Sequence, residues 1–190
     1  WLLDPFAAAT GGRGELHPLL QTDLMVIHPP VVFSYYALCL ATASVALAGV
    51  LRRDSADAIH AAQLHWARAG FVLGSIGIGL GGLWAYTVLD WGGYWAWDPV
   101  ETGSLLPWLA LLLIVHVRAK PDSSSAASVS PAIGLLAGAL AFHATLVTRA
   151  NGVWASVHAF VADGEGTLAD DPYLRVLDIA ELTPVGIEVT

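Results

Sequence analysis

From Pro29 to Leu51 the run PPVVFSYYALCLATASVALAGVL carries no charged side chain over about 23 residues. A helix of that length crosses roughly 30 Å of hydrocarbon. Pro29 and Pro30 suit its start, where the missing N–H groups cost nothing. Three more segments share its character. The second runs from about Trp66 to Leu89 and places GxxxG spacings at Gly70/Gly74 and Gly77/Gly81, which permit close helix packing. The third, from near Val100 to near Val117, is short and holds Pro107, a residue able to kink it. The fourth runs from Pro131 to about Thr148. The expectation is an all-α, polytopic membrane protein with four transmembrane helices.

Composition agrees: 56% of the residues are apolar and 13% charged, where a soluble domain is about a quarter charged. A net charge of −8 without any basic stripe argues against nucleic acid as a partner. Cys39 is the single cysteine, so no internal disulfide or CxxC pair exists. GIGLGG at 77–82 matches GxGxxG literally, but no strand precedes it and it lies inside a membrane run, so it is no nucleotide site. The chain begins at Trp1 without a basic n-region and apolar h-region, and reads as an excerpt from the middle of a longer protein. Residues 1–27 suit an ordered extramembrane loop. The acidic tail beyond residue 163 shows no further span.

Orientation follows from the basic residues. Five of the eight, Arg52, Arg53, Arg68, Arg118 and Lys120, fall in or beside the two linkers between spans. The positive-inside rule puts those linkers in the cytoplasm and both termini outside. His60 and His65 fall in the first linker and, like His17, read as solvated.

One extracytoplasmic loop stands apart. Trp84–Glu101 reads WAYTVLDWGGYWAWDPVE, and Trp84, Trp91, Trp95, Trp97 and Trp108 lie in or beside it. Trp and Tyr gather at membrane interfaces as anchors, but a run this dense, closed by Asp-Pro, can also make a flat floor for a large planar ligand. Asp98 and Glu101 suit the cap and first turn of the third helix, where acids are favourable.

WGGYWAWDPVE closely resembles the tryptophan-rich WWD signature of haem-handling proteins of cytochrome c maturation. With GSLLPWL downstream, HPP at 28–30 and SVHAF at 156–160, the chain resembles the CcmF-type cytochrome c haem lyases rather than the CcmC or CcsA branches. The resemblance covers roughly residues 4–163, the haem-handling region. It leaves out 164–190, which read as a divergent or truncated tail.

The resemblance implies that Trp84, Trp91, Trp95, Trp97 and Asp98 contact haem, and it assigns three iron ligands. An interfacial histidine is more often a solvated cap, yet HPP makes His28 one axial ligand of an outer haem. Its place before Pro29 predicts an extended backbone. His158, on the same side as the tryptophans, would be the second axial ligand. His116, near the inner end of the third span, would ligate a separate b-type haem with a partner from elsewhere. His143, in mid-span, has no role in the family and reads as a hydrogen-bonded core histidine. Arg149 suits pairing with a haem propionate.

The function implied is covalent attachment of haem to apocytochrome c outside the inner (plasma) membrane. The protein would be part of a haem lyase, with a haem chaperone, apocytochrome c and other maturation subunits of the membrane as partners. The alternatives are a haem exporter or relay of the CcmC or CcsA type, and a non-haem transporter whose aromatics are anchors.

Overall fold

The computed structural model describes residues 20, 22–89, 93–117, 124–149 and 158, with the side chains of 124–128 excepted. The expected N-terminal loop up to residue 19, Trp91 and the tail 164–190 lie outside the described residues. Four helices follow in order: α1 (Asp23–Arg52), α2 (Ala56–Thr87), α3 (Pro99–His116) and α4 (Ser124–Arg149). Each is long and apolar enough to cross a membrane. Among the described residues there is no strand.

α1 begins at Asp23, not at Pro29. Asp23 places a negative charge in the first turn, where the helix dipole favours it. Both prolines therefore lie inside the helix and deny an N–H partner to the carbonyls of Met25 and Val26. His28 is helical too, against the bias a following proline imposes. Its contacts with α2, described below, outweigh that local preference. At the other end α1 closes in a Schellman motif: the Asp54 N–H reaches the Gly49 carbonyl at 2.9 Å and the Arg53 N–H that of Val50 at 3.0 Å. Arg53 takes the left-handed position (φ 60°) that usually falls to glycine.

α2 starts only three residues later, capped by Ser55, whose Oγ accepts the Ala58 N–H at 3.3 Å. The expected linker across His60 and His65 is helix instead. His60 is buried rather than solvated, with Nδ1 2.7 Å from Ser130 Oγ, and Gln63 Nε2 donates to the Ser130 carbonyl at 3.0 Å. Buried polar groups need such partners, and these tie the start of α2 to α4. His65 stays exposed against Trp66 (ring centroids 4.9 Å apart).

The helices form a four-helix bundle in which α1 and α3 each pack against α2 and α4. The core holds Tyr35, Cys39, Ala67, Leu111, Ile114 and Ala137. α4 turns Ala137, Ala141, Ala144 and Val147 inward. That spacing of three and four residues puts His143 on the outer face, exposed rather than in the core.

Glycines set how near α1 and α2 come. A Cβ on Gly74 would lie 2.9 Å from the Tyr35 ring, and one on Gly81 would lie 2.9 Å from Cε1 of His28. One glycine face of α2 thus receives Leu38, Tyr35, Val32 and His28 of α1, turn by turn. The GxxxG spacings are the seat of the first candidate ligand.

Candidate haem-binding cavity

The start of α1, the end of α2, the start of α3 and the end of α4 share one end of the bundle, and a cavity of about 380 Å³ opens there. That falls within the roughly 300–1,000 Å³ common for small-molecule sites. Its walls are mostly apolar, with Met25, Val32, Phe33, Ile78 and Leu89 among them.

His28 stands in this wall. Its Nδ1 lies 3.0 Å from the Gly77 carbonyl oxygen. A carbonyl only accepts, so Nδ1 is the donor and the neutral ring carries its lone pair on Nε2. Trp84 meets the imidazole edge-on, with ring centroids 5.9 Å apart. One backbone carbonyl and one indole fix the ring.

The start of α3 holds His158. Asp98 caps the helix: its Oδ2 accepts the Val100 N–H at 2.8 Å. Pro99 takes the first helical position, where a proline loses nothing. Glu101 Oε2 reaches back to the N–H groups of Ala96 at 2.8 Å and Asp98 at 3.3 Å, completing a capping box. The DPVE motif is thus a helix start. The same Asp98 Oδ2 lies 2.9 Å from His158 Nδ1, and the carboxylate is buried. A carbonyl or carboxylate on one ring nitrogen is the arrangement that orients histidines for metal.

The cavity brings together His28, His158, Trp84, Trp95 and Arg149, with Asp98 behind His158. Trp97 is elsewhere: it is 73% exposed, sits at φ 58° and stands at 83° to Trp95. Trp95 and Trp97 therefore do not form one flat floor. Trp108 packs on Phe71 and donates its indole N–H to Ser75 Oγ at 2.9 Å, away from the cavity. His116 ends α3 at the opposite end of the bundle, exposed, with Nδ1 2.8 Å from the Leu112 carbonyl.

Sequence reasoning overlooked the inner wall. Tyr35 is fully buried and donates its hydroxyl to the Ser104 carbonyl at 3.0 Å, joining α1 to α3 beneath the cavity. Tyr35 falls two helical turns after His28, on the face that meets the α2 glycines, so spacing alone could have flagged it. Nothing local marks Ser104.

Two features bear on a haem. Among the described residues no cluster of three or more His, Cys, Asp or Glu could hold a bare metal ion. Two imidazoles, each with Nδ1 engaged by an oxygen, are a donor set that suits a metal bringing other ligands of its own, as a porphyrin iron does. The indole nitrogens of Trp84 and Trp95 are buried without an acceptor among the described residues, and it is as rings that these residues line the cavity.

A sequence model of the Cytochrome C assembly protein family matches residues 6–157. A probable cytochrome c-type biogenesis protein NrfE of Escherichia coli is 35% identical over 95% of the chain and 33% of its own length. The cytochrome c-type biogenesis protein CcmF of Haemophilus influenzae is 38% identical over 86% of the chain and 25% of its own. For CycK of Bradyrhizobium diazoefficiens the figures are 34%, 78% and 23%. The chain thus spans between about a quarter and a third of these relatives. No solved structure matches it.

Proposed function

The chain belongs to the Cytochrome C assembly protein family, and from that premise we propose that its cavity holds haem for covalent attachment to apocytochrome c. The observation carrying the proposal is that His28 and His158, from opposite ends of the chain, face one aromatic-lined cavity, each with Nδ1 on an oxygen.

Bound haem supplies the vinyl groups to which the two thiols of an apocytochrome CxxCH segment add, each thiol hydrogen passing to the vinyl as the C–S bond forms. The chain need bring no nucleophile, because the substrate carries its own. His28 and His158 would hold the iron, oriented by the Gly77 carbonyl and the Asp98 carboxylate. Trp84 and Trp95 would bound the ring, and the apolar wall would keep water from it. Arg149, at the cavity wall, would pair with a propionate. Holding both reactants in register is the chain's contribution to rate.

The cavity end is read as extracytoplasmic. Arg52 and Arg53 lie at the other end, and Arg118 and Lys120 follow α3, which ends there, in the sequence; the positive-inside rule favours the cytoplasm for such a set. A haem chaperone, apocytochrome c and other maturation subunits of the membrane are the partners this reading requires.

The test is haem occupancy and thioether formation in the complete protein. His28→Ala and His158→Ala should each abolish the Soret signal of this site and the attachment of haem to apocytochrome. Normal thioether yield from both variants would sink the proposal.

A further inference from the structure

Exposed apolar side chains are plentiful in this chain, and lipid accounts for most of them. Apart from Tyr94 and Trp97, the large ones among the described residues all lie in the four spanning helices. Tyr94 and Trp97 stand instead in the segment between α2 and α3. Tyr86, in the last turn of α2, stacks on Tyr94 with ring centroids 4.7 Å apart and planes at 10°. All three rings are more than half exposed.

These rings border the cavity without lining it. A Cβ on Gly82, a cavity residue, would lie 3.1 Å from the Tyr94 carbonyl oxygen. Trp95 lines the cavity and meets Trp97 edge-on, with ring centroids 6.0 Å apart. Asp98, the next residue, holds His158. Tyr94 and Trp97 are three residues apart, so their Cα atoms are separated by no more than about 11 Å. The same short segment thus carries a cavity residue between two exposed rings.

Trp97 is also strained. Among the described residues only it and Arg53 combine a side chain with positive φ, and Arg53 does so to close the end of α1. A bulky residue in that region is rare and persists where its surroundings or its use demand it. A fluid lipid interface accepts an aromatic ring in many orientations and gives no reason to hold one by a strained backbone. A partner of fixed shape does.

We infer that Tyr86, Tyr94 and Trp97 form a rim on which the CxxCH segment of the apocytochrome docks, which rests on the reading that the cavity takes haem. With haem in the cavity, the polypeptide has to approach from outside, past the segment that carries Trp95. Sulfur packs favourably against aromatic rings. A stacked tyrosine pair adds a wide, rigid surface with little side-chain freedom left to lose. Cavity and rim then divide the two substrates: the inward residues hold the porphyrin, and the outward rings hold the peptide.

The complete protein, loaded with haem in detergent, is titrated with a fluorescent peptide carrying one CxxCH segment. Both thiols are S-methylated, which keeps the sulfurs and blocks attachment. Tyr94→Ser and Trp97→Gly should each weaken peptide binding by on the order of tenfold, while haem affinity from a Soret titration stays within about twofold of the wild type. Tyr94→Phe keeps the stack and should bind both ligands as the wild type does. With apocytochrome as substrate, the two ring-removing variants should raise KM and leave kcat unchanged. Unchanged peptide affinity in both overturns the surface, and if they also reach the membrane in lower amount the rings are lipid anchors. Parallel loss of haem and peptide affinity overturns it too, since the rings would then act through the cavity. A wild type that takes haem but not peptide removes the surface alone. One that takes no haem removes the haem reading and the surface with it.

Discussion

Asp98 holds His158 with the oxygen that starts α3: Oδ2 stands 2.8 Å from the Val100 nitrogen and 2.9 Å from His158 Nδ1. Helix capping and the placing of His158 share one oxygen here, so moving the helix start moves the imidazole.

Asp98→Asn separates the two roles. Asparagine caps as well as aspartate, so thermal stability should stay close to that of the wild type. The orienting carboxylate is lost, and haem affinity should fall roughly ten- to a hundredfold, as for other partners behind metal-ligating histidines. Asp98→Ala should lose the cap as well, about 1 kcal/mol. A Soret titration beside a thermal melt checks both, and unchanged haem affinity in Asp98→Asn would show that His158 is positioned by something else.

Gly81 gives a second separation, this time at His28. A Cβ there would come within 2.9 Å of His28 Cε1, whereas a Cβ on Gly79 meets nothing within 4 Å. Alanine favours helix over glycine by about 1 kcal/mol at either position. Gly81→Ala should therefore lose the haem signal that depends on His28 while the protein stays folded, and Gly79→Ala should bind as the wild type does. Equal haem binding by the two variants would mean that the α1–α2 contact does not place the ligand.

The four helices were legible because hydrophobic length is a property of the local sequence, and the DPVE start was legible because a capping box has fixed spacing. Helix ends facing a tertiary partner were not. α1 and α2 extend beyond their apolar runs, since His28 on Gly77 and His60 on Ser130 are contacts between segments far apart in the chain. The direction of an aromatic in a loop was equally illegible. Trp95 and Trp97 are two residues apart, yet one lines the cavity and the other is exposed. His143 was misread because mid-span position gives depth, not face.

Trp97 should be expendable for the ligand. Trp97→Gly removes an exposed ring and places the residue that best tolerates φ 58°. Haem affinity should change by less than about twofold, whereas Trp95→Ala should lower it by on the order of tenfold. Reversal of that order in a Soret titration would put Trp97 rather than Trp95 at the ligand.

Sidedness is checked by labelling. Asp57 is exposed in the first turn of α2 and Tyr94 is exposed in the aromatic loop, while the native Cys39 is fully buried. A membrane-impermeant maleimide should label Tyr94→Cys in intact cells and Asp57→Cys only after the membrane is opened. The opposite pattern would invert the proposed topology.

His116 should belong to a different haem from His28 and His158. Val100, Glu101 and Ser104 are the α3 residues that line the cavity, and His116 lies about twelve residues along α3 from Ser104, roughly 18 Å at 1.5 Å per residue. Pro107 is accommodated inside a continuous helix, so α3 does not fold back to bring His116 near. Its Nδ1 faces the Leu112 carbonyl, which leaves Nε2 as the acceptor nitrogen of the neutral ring. The resemblance to CcmF-type lyases implies a b-type haem at that depth, passing electrons outward to keep the outer iron reduced. Its second ligand would come from outside the four helices. In the complete protein His116→Ala should then remove one haem signal and leave intact the one lost in His28→Ala or His158→Ala. Loss of the same signal from His116→Ala and His28→Ala would leave a single haem, reached by some path other than along α3.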